Sequence, residues 1–299
     1  MITIMHDGIN ISRIFTSLIN KLSDTEITVV HVQSGDFKEN GLICSIGLPN
    51  LVRKLTNRPI RNDSIFSKYL KGLDLLKEDI PDFDLSLWIA ETLWIYQQKS
   101  LWDFYSNLTD KLKLKKPLVP LIKDIPNTII RVSEVEGNLN TMEFLQLKRI
   151  GEIKEIVFNN KEKFELENET KNIIQNSNLL ILFQLSPLSM YFLGFIDALK
   201  AITESHKGHI IYVLPHELSL PDRKILEKFF KNEKINGLIE TLEGLVDIII
   251  FDKNYYSLIG NLQDLDMTMF PISFEEGKTS DIQKSIDELI RIINSLIKT

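Results

Sequence analysis

Seven short apolar runs constrain this chain more than any other feature: Ile2–Met5, Ile27–Val32, Thr128–Val132, Ile153–Phe158, Leu179–Phe183, His209–Leu214 and Val246–Phe251. Such runs mark strands buried on both faces, the condition of a parallel sheet. Between them the apolar residues fall at helical spacing. Ile11, Ile14, Phe15, Leu18 and Leu22 form one stripe. Ile282, Ile286, Leu289, Ile290, Ile293 and Ile297 form another, where Ser280 or Asp281 would cap the helix. Strand and helix in alternation imply βαβ crossovers. The expected fold is α/β: a Rossmann-like, doubly wound, mostly parallel sheet, with residues 1–299 as a single domain. Residues 51–116 break the rhythm; leucine-rich and charged, they predict a helical insertion whose Trp88, Trp94, Trp102 and Phe104 pack on the sheet.

Charge and cysteine content narrow the function. The net charge of -6 argues against a protein that grips nucleic acid through its phosphates. A single cysteine, Cys44, leaves no intrachain disulfide and no Cys-rich metal site, as expected of a reducing, cytoplasmic setting. No signal peptide is expected at Met1–Met5. The apolar stretch Leu179–Ile202 is broken by Gln184-Leu185-Ser186-Pro187, so it predicts a strand and then a helix, not a membrane span. The basic run 111–116 reads as a solvated helix end.

Candidate chemistry gathers where strands end. His6-Asp7-Gly8-Ile9-Asn10 follows the first run; it is either a phosphate-binding turn or an ordinary turn with Asn10 or Ser12 as helix cap. With one glycine it carries neither a dinucleotide fingerprint nor a P-loop. Asp36 follows the second run and suits a metal, a ribose or a plain turn. Asp82 and Asp84 face one cation if their backbone is extended, whereas Asp84 caps a helix if it is not. Asp124 lies in a further loop before a strand. The five histidines show no zinc spacing with one another, and only His6 stands at a strand end that invites function.

Taken in order, these loops resemble the 2-phospho-L-lactate transferase (CofD-like) family of coenzyme F420 synthesis. The family's Gly-Leu-x-x-Ser-Pro-Asp-Leu-Asp-Thr stretch is similar to Gly41-Leu42-Ile43-Cys44-Ser45-Ile46-Gly47-Leu48-Pro49-Asn50, with both aspartates replaced. Its Leu-Gly-Asp-Arg-Asp-x-Ala-Thr-His pattern resembles Ile80–Trp88, where Asp82 and Asp84 persist and the histidine is Trp88. Its nucleotide-receiving Pro-Ser-Asn-Pro loop resembles Gln184-Leu185-Ser186-Pro187. The resemblance implies transfer of a phospholactate-type group from a nucleotide-activated donor to the deazaflavin Fo, or an inactive paralogue that keeps a nucleotide or deazaflavin site. It implies Asp7, Asn10, Asp36, Asn50, Ser186 and Ser189 against substrate and Mg²⁺ on Asp82, Asp84 and Asp124, and it assigns no catalytic residue. The family often forms dimers, so a homodimer is the assembly the resemblance allows.

Overall fold

The protein is described from a computed structural model covering residues 1–56, 65, 68, 80–159, 164–230, 235–259, 265–274 and 279–297. All seven runs form strands, but only five share one sheet. In chain order the strands are β1 (Ile2–His6), β2 (Ile27–His31), β3 (Phe37–Glu39), β4 (Leu42–Cys44), β5 (Leu118–Pro120) and β6 (Thr128–Val132), followed by β7 (Leu139–Asn140), β8 (Ile153–Phe158), β9 (Leu179–Phe183), β10 (His209–Val213), β11 (Ile248–Asp252) and β12 (Thr268–Ile272). The helices are α1 (Arg13–Lys21), α2 (Gly47–Leu55), α3 (Asp82–Tyr96), α4 (Leu101–Leu112), α5 (Thr141–Leu145) and α6 (Asn168–Asn176), then α7 (Pro187–Phe195), α8 (Ala198–Ser205), α9 (Leu220–Phe229), α10 (Ile235–Thr241), α11 (Tyr256–Ile259) and α12 (Thr279–Ile297).

The main sheet has seven parallel strands in the order β12-β11-β10-β9-β1-β2-β5. The chain leaves β1 towards β2 and β5, then returns to β9 on the other side of β1. That reversal is the topological switch point of a doubly wound fold, and ligands bind outside the carboxyl ends of strands there. The register Met5↔Val30 and Met5↔Leu182 brings the ends of β1, β2 and β9 together on one edge, as the sequence implies.

Alternate residues of each strand feed two cores. Ile2, Ile4, Val29, Ile181 and Ile250 face the helices α1, α2, α4 and α12, whereas Met5, Val30, Leu182 and Ile249 face α7 to α10 and a second sheet. That second sheet corrects one expectation. Thr128–Val132 and Ile153–Phe158 are not parallel core strands; they pair antiparallel with each other, with β7 on the outer side of β6. Their alternating exposure fits a sheet with one wet face, and Arg131, Lys154 and Glu155 are the sequence trace of it. Two strands of the main sheet went unread, β5 and β12, each short and each containing a proline that restricts it to a sheet edge, and the short strands β3, β4 and β7 outside that sheet were also not anticipated.

The described part of the 51–116 region is helical. Trp88 and Phe104 are buried, and Trp94 and Trp102 pack partly buried against the two cores. Helix α3 docks on the β3–β4 hairpin through polar bonds: Ile43 N–H donates to Thr92 Oγ1 (2.8 Å) and Trp88 Nε1 donates to the Ser45 carbonyl (2.9 Å). The basic run ends differently from its solvated reading. Lys116 is buried, and its ammonium donates to the carbonyls of Leu22, Ser23 and Thr25, closing the end of α1. The expected caps Ser280 and Asp281 fall inside α12. Among the described residues, no helix is long and apolar enough to cross a membrane.

Candidate functional site at the switch point

A cleft of about 530 Å³ opens over the ends of β1, β9 and β10. Asn10 and Ser12 come from the β1–α1 turn, Gln184 from the end of β9, and His216 and Ser219 from the β10–α9 loop. The fourth wall is α2, which contributes Asn50, Arg53 and Lys54. Ser12 is the N-cap of α1, its hydroxyl accepting from Phe15 N–H, which decides between the two caps left open by the sequence. Arg53 pairs with Asp84 and donates to Asn50 Oδ1 (3.4 Å), whereas Lys54 makes no ion pair among the described residues. Lys54, the Asp84-paired Arg53 and the α1 N-terminus, set against one lining acid, Glu217, favour an anionic ligand on the α1–α2 side of the hollow.

Gln184 is the strained residue of this wall. It holds a left-handed φ of 48°, and its carboxamide, in a side chain 4% exposed, has no hydrogen-bond partner on either oxygen or nitrogen. Such a conformation costs on the order of 1–3 kcal/mol and clusters at functional sites.

Beneath the cleft, Asp7 ties the strand ends together. It is 1% exposed; Oδ1 accepts from Ile9 N–H (3.0 Å), and Oδ2 accepts from Ser186 N–H (2.8 Å) and the Ser189 hydroxyl (2.7 Å). The Ser189 proton being spent on Asp7, the Ser34 hydroxyl donates to Ser189 Oγ at 2.6 Å. Strands β1, β2 and β9 are thereby joined by one network. Burial by itself would raise the Asp7 pKa, but His6 beside it and the hydrogen bonds from Ser189 and Ser186 prevail and hold it at about 2. Asp7, Ser186 and Ser189 therefore form the support of the cleft, while Asn10 and Asn50 line it; Asn50 Nδ2 also donates to the Gly8 carbonyl (3.0 Å).

Asp36 lies elsewhere, in a buried acid pair. The Ser45 hydroxyl is 3.0 Å from Asp36 Oδ2 and 2.7 Å from Glu91 Oε2. One hydroxyl proton cannot serve two carboxylates, so at least one acid keeps its own proton. Burial pushes both carboxyls up, and the charge of Glu91 pushes Asp36 further. A carboxyl raised in the folded state binds a proton that the unfolded chain releases, so stability falls as pH rises above the ordinary glutamate range. With Glu91 pushed up to about 7 by burial, Glu91→Gln is expected to stabilise the protein by about 3 kcal/mol at pH 8 and to change nothing at pH 4, one pK unit being worth ~1.4 kcal/mol. Urea denaturation at both pH values checks it; an equal effect at both would contradict the buried-acid reading.

The three expected metal ligands do not gather. Asp82 and Asp84 both sit in the first turn of α3, not on extended backbone, so i and i+2 diverge around the helix. Pro81, not Asp84, is the N-cap. Asp84 is engaged with Arg53, and Asp124 is exposed on its loop. Among the described residues, no group of three or more His, Cys, Asp or Glu is placed to hold a metal ion. Nor is Gly47 simply an aspartate lost. A Cβ there would lie 1.7 Å from the Asp7 carbonyl oxygen and 2.7 Å from His31 Nε2, so the start of α2 rests directly on the β1–α1 turn. Sequence reasoning missed Arg53, Lys54 and His216. The first two lie on α2 just beyond the family-like stretch that ends at Asn50, and His216 finds its partner Asp252 only through the fold.

Fold and cleft together define the class: a doubly wound α/β protein with a polar, cation-bearing cleft at its switch point. The solved structures that it resembles share this architecture from end to end. Two structures of BH3568 from Bacillus halodurans, one of them described as a member of the UPF0052 family, superpose with TM-scores of 0.60 and 0.62. The matches cover 96% and 97% of this chain and 98% and 99% of that protein, at 12% and 11% identity. No protein-family model matches the chain, and no curated protein matches it.

Proposed function

We propose that this chain is a divergent CofD-like protein, the group to which the UPF0052 proteins belong, and that its switch-point cleft takes a nucleotide-activated phosphorylated ligand. One observation carries the reading: the cleft sets Lys54 and Arg53 on α2 against the β1–α1 turn and the strained Gln184, where a doubly wound fold binds phosphates. The end-to-end likeness to a UPF0052 protein and the order of loop motifs support it. On this reading the activity is transfer of a phospholactate-type group to deazaflavin Fo, with both ligands as the protein's small-molecule partners. The buried, unpaired Cys44 fits a cytoplasmic setting.

A second reading, ligand binding without turnover, is favoured by the scattered acids. Mg²⁺ held by one or two carboxylates needs the substrate's phosphates to complete its shell, and Asp82, Asp84 and Asp124 do not form a site together. Incubation of the wild-type protein with a nucleotide-activated phospholactate and Fo, followed by product analysis, separates the readings. Product supports the transferase; no product, together with saturable nucleotide binding, supports the binder. We expect GDP binding to survive EDTA within about threefold, because the cations of the cleft are Lys54 and Arg53. Loss of binding with EDTA would restore a metal to the site.

A further inference from the structure

The β10–α9 wall of the cleft carries a pair that the reading above leaves unused. His216 Nδ1 lies 3.1 Å from Asp252 Oδ2. Asp252, 1% exposed at the end of β11, also accepts from Asn254 N–H on Oδ1 and from Phe274 N–H on Oδ2, both at 2.7 Å. A carboxylate fixed by these donors only accepts, so the hydrogen of the imidazole sits on Nδ1 and Nε2 is left to the cleft. The Phe274 ring stands edge-on against the imidazole at 6.2 Å, and the Tyr255 hydroxyl donates to the His216 carbonyl (3.0 Å). Loop and ring are thus positioned from two sides.

The charges around this ring decide what it can do. Glu217 is exposed on the same lip, and Asp222 and Arg223 open α9 behind it. The α9 N-terminus is already satisfied: Asp222 accepts from Ser219 N–H (3.0 Å) and hydroxyl (2.6 Å), so that helix end has little to offer a ligand. Across the cleft stand Lys54 and Arg53. On the His216 wall, then, the imidazole is the group able to become a cation facing inward. A neutral Nε2 presents a lone pair to a phosphate oxygen and repels it, whereas a protonated one donates a charge-assisted hydrogen bond. The unpartnered, buried carboxamide of Gln184 on the adjoining wall independently marks the cleft as a ligand site.

We propose that His216 is the phosphate contact of this wall, taking up a proton from solvent as the phosphate enters and holding it as an imidazolium backed by Asp252. No bond to phosphorus forms or breaks; the proton adds to Nε2 and is shared with a phosphate oxygen. The proposal rests on the phosphate reading of the cleft and is tested apart from turnover. Inorganic pyrophosphate is titrated calorimetrically into wild type and His216→Gln at pH 7.5, in buffers of low and high ionisation heat, and again at pH 6 and pH 8. His216 lies at the rim and only partly buried, so the variant is expected to melt with the wild type. Wild type should take up at least about half a proton more than the variant, and its Kd should weaken roughly tenfold more between pH 6 and pH 8. Binding with equal proton uptake in both proteins overturns the role of His216 and leaves the phosphate cleft standing. Absence of pyrophosphate binding by wild type at pH 6 overturns the cleft reading and this proposal with it.

Discussion

Gly47→Ala should cost the protein about 3 kcal/mol, and Gly47→Asp, which restores the acid of the resembled family, should cost more. The reason is backbone contact, not lost conformational freedom. The missing Cβ would sit 1.7 Å from the Asp7 carbonyl oxygen, and no rotamer moves a carbonyl. Gly8 faces the same junction from the other side, at φ 72°, with a Cβ position 2.2 Å from the Gly47 carbonyl oxygen. Gly194 supplies the contrast. It lies in α7 with nothing within 4 Å of its Cβ position, so Gly194→Ala should stabilise by about 1 kcal/mol through helix propensity. Urea denaturation of the three variants tests the pair of statements together. A Gly47→Asp protein as stable as wild type would mean that α2 does not rest on the β1–α1 turn.

The second large effect belongs to Asp7. In Asp7→Asn one carboxylate oxygen becomes a donor, which must face Ser186 N–H and the Ser189 hydroxyl or else Ile9 N–H. Losing charge-assisted bonds worth about 1.5–3 kcal/mol each should lower stability by roughly 3–5 kcal/mol. The pH signature follows from the depressed pKa of about 2. A lowered carboxyl gives stability that is complete above the ordinary aspartate range and is lost as pH falls towards 2, here about 2 kcal/mol. The variant should therefore lack that acid limb of the stability profile. A loss under 1 kcal/mol at pH 7 would show that the network does not hold the strand ends.

The sequence made most of the sheet legible because a strand buried on both faces leaves an unbroken apolar run, as Ile2–His6 and Leu179–Phe183 do. It did not distinguish β6 and β8 from such strands. Five or six residues with one or two charges look alike whether one face or two are covered. Strands β5 and β12 escaped for the opposite reason: Pro120 and Pro271 are tolerated only because their strands lie on the sheet edges, which is knowledge of topology. Asn10 was legible as a cleft residue because it follows a strand end, where doubly wound folds bind, whereas Asn50 stands on α2 and was named only through the family-like stretch that ends there. Asp36 was misplaced because a turn acid and a buried acid look the same until Glu91 arrives from α3, 55 residues later in the chain. His216 was passed over because its partner Asp252 ends the neighbouring strand, beyond any local spacing.

If the switch-point cleft binds a phosphorylated nucleotide, Lys54 should contribute to binding without being needed for the fold, since it makes no ion pair among the described residues. GDP titrated calorimetrically into wild type and Lys54→Ala should give saturable one-to-one binding to the first and at least tenfold weaker binding to the second, as expected when one charge-assisted phosphate contact is removed. The melting temperatures without ligand should agree. Failure of wild type to bind GDP, or equal affinity in the two proteins, would contradict that reading of the cleft.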